Sequence, residues 1–121
     1  MRLALNALCA LIALEHVWIL VLEMFLWKKP LGLKTFALTR EDAETSAVLA
    51  ANQGLYNGFL AAGLVWGLLA PAALAPSVQL FFLACVLVAG VYGGITARRN
   101  ILWVQGLPAL VALGLLWLTW N

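Results

Sequence analysis

Residues 3–27 read LALNALCALIALEHVWILVLEMFLW, an apolar run whose polar interruptions are Asn6, Glu15, His16 and Glu23. About 20 helical residues, each rising about 1.5 Å, cross a hydrocarbon core about 30 Å thick, and this run meets that length. Comparable runs follow at 46–69, 78–97 and 101–120. Of the 121 residues, 65% are hydrophobic and 10% charged, and the mean hydropathy is +1.02. A soluble domain carries about 25% charge. The composition therefore predicts one all-α transmembrane domain over 1–121, a four-helix bundle that leaves no room for a soluble catalytic unit.

Arg2 with the stretch from Leu3 to Leu14 also matches the charged and apolar regions of a secretory signal peptide. The run continues past Glu15 to Trp27, and no Ala-x-Ala site stands out, so it is read as span one.

The basic residues set the expected orientation. Lys28, Lys29, Lys34 and Arg40 lie between spans one and two, and Arg98 and Arg99 between spans three and four. Arg2 alone stands on the other side. The positive-inside rule places loops 28–45 and 98–100 in the cytoplasm, with both termini and the 70–77 turn on the outer side of the membrane. The net charge of +2 is then a topology signal. No basic helix, aromatic RNA motif or zinc-ligand spacing accompanies it, so the expected partners are the lipid bilayer and a small ligand rather than nucleic acid.

Local signals refine the connections. Residues 28–38 mix Lys28, Lys29 and Lys34 with apolar side chains around Pro30 and Gly32, as a segment at the lipid headgroups would. Thr39 followed by Glu41 and Asp42 reads as an N-cap with acidic first-turn residues, so helix two is expected from near residue 40. Pro71 and Pro76 mark an outward turn, and Arg98-Arg99-Asn100 a tight one that makes spans three and four antiparallel neighbours. Gly54/Gly58, Gly63/Gly67, Gly90/Gly94 and Gly93/Ala97 have the four-residue spacing that lets helix backbones approach in lipid. The Gly54/Gly58 and Gly90/Gly94 faces are also candidate homo-oligomer interfaces. Trp27 and Trp103 suit the cytoplasmic boundary, and Trp66, Trp117 and Trp120 the outer one.

Ionisable groups inside an apolar helix are the functional lead, because each is costly to bury, about +2.5 to +3.5 kcal/mol for Asp or Lys at a helix centre. At about 100° per residue, Glu15, His16 and Glu23 share one arc of span one, opposite Leu14, Val17, Trp18, Val21 and Phe25. Span two offers Asn52, Gln53, Tyr56 and Asn57 on an arc apart from Gly54 and Gly58; span three offers Tyr92 and Thr96; span four offers Gln105 ahead of Pro108. Pro108 lacks an N–H and frees a carbonyl one turn earlier.

Glu15, His16 and Asn57 fall near midplane and the other polar groups roughly 7 to 13 Å toward the cytoplasm, overlapping heights that predict one polar pocket in the inner half of the bundle. Glu15, His16 and Glu23 are its charged determinants and its candidate acid/base groups; Asn52, Gln53, Tyr56, Asn57, Tyr92, Thr96 and Gln105 are its hydrogen-bonding walls. A carboxyl able to exchange its proton beside a near-neutral imidazole suits acid/base chemistry, proton movement or cation recognition. His16 and Glu23 lie about 10 Å apart along the axis, too far for one ion, so no metal site is expected. Cys9 and Cys85 lack motif spacing and read as small apolar side chains. Nothing in the sequence names a cofactor.

Glu15-His16 with Glu23 and Trp27, Asn52-Gln53-Gly54-Leu55-Tyr56-Asn57, Ala89-Gly90-Val91-Tyr92-Gly93 with Thr96, and Gln105-Gly106-Leu107-Pro108-Ala109 stand in that order along the chain. Together they make it similar to a bacterial membrane protein family catalogued as domain of unknown function thirteen-oh-four, over essentially the whole length. The resemblance implies a small four-span membrane protein and supplies no activity; its signature residues coincide with the polar stripe. The expectation is a pocket for a small polar or amphiphilic ligand, with transport of a proton, cation or small solute as one alternative and a ligand-free assembly subunit as another.

Overall fold

The computed structural model describes residues 1–120, and their regular elements are all helical. They are α1 (Arg2–Met24), α2 (Pro30–Phe36), α3 (Arg40–Leu69), α4 (Ala75–Thr96) and α5 (Arg99–Leu118). The chain packs as two compact units, one formed by Leu14–Ala61 and the other by Met1–Ala13 with the residues from Ala62 onward.

In the Leu14–Ala61 unit, the end of α1 runs antiparallel to the first part of α3. A Cβ on Gly54 would lie 2.8 Å from Met24 Cγ and 3.0 Å from Glu23 Cβ, and one on Gly58 would lie 2.6 Å from Leu20 Cδ1. The absent side chains let the two backbones close, and close packing drives helix association in lipid. Leu22, Ala43 and Ala50 are buried. The amphipathic reading of α1 holds: His16 and Glu23 are buried, while Leu14, Trp18 and Phe25 face outward.

Between these helices α2 begins at Pro30, whose fixed φ suits a first helical position. Gly32 sits against the carbonyl oxygen of Leu26, where a Cβ would collide with backbone. The helix ends at Ala37 in the left-handed region, φ 52° and ψ 47°. Thr39 Oγ1 accepts from Asp42 N at 3.1 Å, so the expected N-cap starts α3 at Arg40.

In the other unit α4 and α5 form the expected antiparallel pair. Gly90 meets Gly106, Gly93 meets Ile101 and Gly94 meets Leu102. Residues 102–106 of α5 form a π-helical turn, closed by Leu107 N donating to Leu102 O. Pro108 stands just beyond, and its ring would clash with the carbonyl four residues back in a regular helix; the wider turn accommodates it. Leu5, Cys9, Leu64, Leu83, Val86, Ala109, Ala112 and Leu116 supply the buried core. Gln79, also buried, donates through Nε2 to Asn6 Oδ1 at 3.2 Å. Cys9 and Cys85 are free thiols.

Among the described residues, α1, α4 and α5 are long and apolar enough to cross a membrane. The α3 helix has 30 residues but starts with Arg40, Glu41, Asp42 and Glu44. Asn52, Gln53, Asn57 and the glycines further dilute its hydropathy, so composition alone supports three spans rather than the expected four.

The glycine faces that are candidate subunit interfaces are occupied within the chain. Gly54 and Gly58 carry α1, and Gly90 and Gly94 carry α5. Small residues offer the closest approach available, and the nearest helix in the same chain takes it.

Candidate functional site

Glu23 stands one residue before the end of α1, and the turn after it brings basic and aromatic side chains beside α3. Both Phe25 N and Leu26 N donate to Val21 O, at 3.0 and 3.2 Å, and Lys29 N donates to Leu26 O at 3.0 Å. This tight reversal sets Trp27 and Lys28 against the first turns of α3, with Lys29 next to them. Trp27 Nε1 donates to Ser46 Oγ at 3.0 Å, and that hydroxyl donates to Asp42 O at 2.6 Å. The indole also meets the ring of Phe36, centroids 4.8 Å apart, which ties α2 to the same corner. Lys28 Nζ lies 3.5 Å from Glu44 Oε2, with both side chains well exposed.

These residues enclose a cleft of about 320 Å³ lined by Glu23, Trp27, Lys28, Lys29 and Glu44, with apolar walls from Met24, Phe25 and Ala47. Glu23 is only 5% exposed. Its Oε2 accepts from Asn57 Nδ2 at 3.3 Å, and among the described residues no cation pairs with it. A buried carboxylate met by a single neutral donor leaves acceptor capacity that a ligand can fill. The lining carries two carboxyl and two amino groups among the side chains of Met24, Phe25, Trp27 and Ala47, so the cleft is amphipathic.

The predicted pocket is only partly assembled this way. Glu23 and Asn57 are joined directly. Asn57 also donates to the backbone oxygen of Gln53, at 3.2 Å, while the side chains of Asn52 and Gln53 are exposed. Tyr56 is exposed and meets Phe59 edge-on, centroids 5.7 Å apart. The reason is the choice of face on α3: Gly54 and Gly58 turn toward α1, and the amide arc turns away. Asn57 lies about 60° from Gly54, between the two faces, and so alone reaches the carboxylate.

Glu15 and His16 lie on the inward side of α1, about 10 Å along the axis from Glu23. His16 is fully buried, and Glu15 is half-buried with a buried Oε1. Tyr92, Thr96 and Gln105 belong to the other compact unit. Tyr92 is 70% exposed, Thr96 is exposed with its hydroxyl donating to Tyr92 O at 2.8 Å, and Gln105 is half-buried in the π-helical turn.

Sequence reasoning misses Lys28, Lys29 and Glu44, and assigns Trp27 only an anchoring role. A signal is present nonetheless: antiparallel α1 and α3 joined by a short connection must bring residues just after α1 opposite residues just before the apolar part of α3.

The profile of a family described as "Protein of unknown function (DUF1304)" matches residues 10–117. A protein of Lactococcus lactis subsp. lactis (strain IL1403), described as uncharacterized protein YpaA, is 35% identical over 108 residues, covering 88% of this chain and 90% of its own length. No solved structure matches the chain.

Proposed function

The chain belongs to the DUF1304 family, and from the geometry above we propose a four-crossing protein of the bacterial inner membrane that holds a small amphiphile in the cleft at the cytoplasmic end of α1. The observation that carries this reading is the buried Glu23 carboxyl opening on a cleft of about 320 Å³ rimmed by Lys28 and Lys29. Clefts of this size take headgroup-sized molecules, and a few placed polar groups among apolar walls orient them. Glu23, Trp27, Lys28, Lys29 and Glu44 are the binding residues, with Asn57 positioning the Glu23 carboxylate. Glu23 is also the group placed to exchange a proton with a bound ligand.

The packing of α3 against α1 supports the fourth crossing. Because Gly54 and Gly58 meet Met24 and Leu20, α3 from about residue 46 shares the depth of α1. Loops 28–45 and 98–100 carry all the basic residues except Arg2, and by the positive-inside rule both face the cytoplasm. Single cysteines introduced at Lys34 or Ser77, with Cys9 and Cys85 replaced by Ala, test this in whole cells. A membrane-impermeant maleimide should label the Ser77 site and spare the Lys34 site.

Ligand binding is tested by filling the cleft. Ala47→Trp should abolish retention of added phospholipid by the detergent-solubilised protein, as read by native mass spectrometry, while the helical circular dichroism is retained. Unchanged lipid retention would refute the proposed site.

A further inference from the structure

The charge pattern of the cleft points to one chemical class of amphiphile, a conclusion that rests on the binding reading above. We infer that the cleft takes the headgroup of an amine-bearing zwitterionic phospholipid, its ammonium on Glu23 and its phosphate at Lys29.

Glu23 selects the cationic half of the ligand. It is buried, holds one hydrogen bond from a neutral amide, and lines the cleft. A primary ammonium brings up to three N–H donors and a positive charge, which both fills the remaining acceptor capacity and neutralises the buried carboxylate. A trimethylated ammonium carries the charge without the donors. An alcohol headgroup on a phosphodiester carries donors without the positive charge, and brings a net negative charge beside Glu23 and Glu44. The Trp27 ring, a further wall of the cleft, adds a π surface suited to a cation. Its N–H is already committed to Ser46, so the indole brings no free donor to the ligand.

The lysines divide the other half of the ligand. Lys28 is paired with Glu44, whereas among the described residues Lys29 makes no ion pair. Lys29 therefore has its charge available for a phosphate. Both stand immediately after the end of α1, where a headgroup lies when its acyl chains follow the helix into the bilayer. Met24 and Phe25 line the same cleft, and Phe25 is largely exposed, giving the glycerol and first methylenes an apolar path outward. The source is thus a lipid, anchored by its chains, rather than a free phosphoamine.

The test uses the full-length protein in detergent, mixed with equal mole fractions of phosphatidylethanolamine, phosphatidylcholine and phosphatidylglycerol, with bound lipid read by native mass spectrometry. Phosphatidylethanolamine should be retained about tenfold over the other two, the ratio expected for one charge-assisted hydrogen-bonding contact. Glu23→Gln should remove that preference, and Lys29→Ala, at an exposed position that leaves folding intact, should lower phosphatidylethanolamine retention severalfold. Equal retention of the amine and trimethylamine lipids by the unaltered protein, or a preference that survives Glu23→Gln, overturns the inference. Displacement by soluble phosphoethanolamine overturns the lipid source. Retention of all three lipids that disappears in Ala47→Trp, without preference among them, leaves the cleft as a binding site and rejects only this ligand class.

Discussion

Gly90 of α4 and Gly106 of α5 meet backbone to backbone: a Cβ on Gly90 would lie 2.6 Å from Gly106 N and 2.8 Å from its Cα. This pair of missing side chains, together with Gly94 against Leu102, sets how closely the two helices cross. The contact falls on the last residue of the π-helical turn, so the crossing and the irregular backbone ahead of Pro108 are one feature.

Gly90→Ala should destabilise the protein by about 1–3 kcal/mol, because the obstructing atoms are backbone and cannot rotate away. Gly114, which has nothing within 4 Å of its Cβ position, is the control. Gly114→Ala should be neutral or slightly stabilising, since Ala has the higher helix propensity. Thermal unfolding in detergent, followed by circular dichroism, separates the two.

Ala37 closes α2 at φ 52°, a conformation in which its Cβ is strained and a glycine is not. Ala37→Gly should stabilise the corner by about 0.5–1 kcal/mol. Slower amide exchange over α2 would register the gain, and faster exchange would show that the αL cap is not what ends the helix.

Much of this architecture is legible in the sequence, and the limits have a physical basis. The inward face of α1 is legible because Glu15, His16 and Glu23 contrast sharply with Leu14, Trp18 and Phe25, leaving one arrangement that hides the charges. The Thr39 cap is legible because its signal is local. On α3 two special faces compete, one of amides and one of glycines, and a helical wheel ranks neither; close backbone packing decides for the glycines, leaving only Asn57 of the amide arc on Glu23. The cleft is illegible for a different reason. It depends on a tight reversal at Phe25–Lys29, a tertiary event that periodicity does not encode.

The amide on the boundary between those faces should behave unlike its neighbours. Asn57→Ala removes the donor to Glu23 and leaves a buried carboxyl without a hydrogen bond, a loss of about 1–3 kcal/mol. Asn52→Ala, at an exposed site, should change stability by no more than about 0.5 kcal/mol. Replacing Glu23 with Leu first should shrink the Asn57→Ala effect, and a double-mutant cycle reads that coupling directly.

The two exposed amides of α3 should govern how readily that helix inserts. Asn52 and Gln53 lie near one end of the apolar part of the helix, on the side away from α1. They make insertion of α3 less favourable, whereas Leu contributes about −0.3 to −0.6 kcal/mol per residue at the centre of an inserting helix. Asn52→Leu with Gln53→Leu should therefore raise the inserted fraction of segment 46–69 in a translocon assay. In the whole protein the same pair should leave the melting temperature unchanged or raise it, because neither amide holds a described helix in place. A fall in melting temperature would instead mean that these side chains are hydrogen-bonded across an interface with another molecule, since amides facing a second helix stabilise through such bonds and amides facing lipid do not.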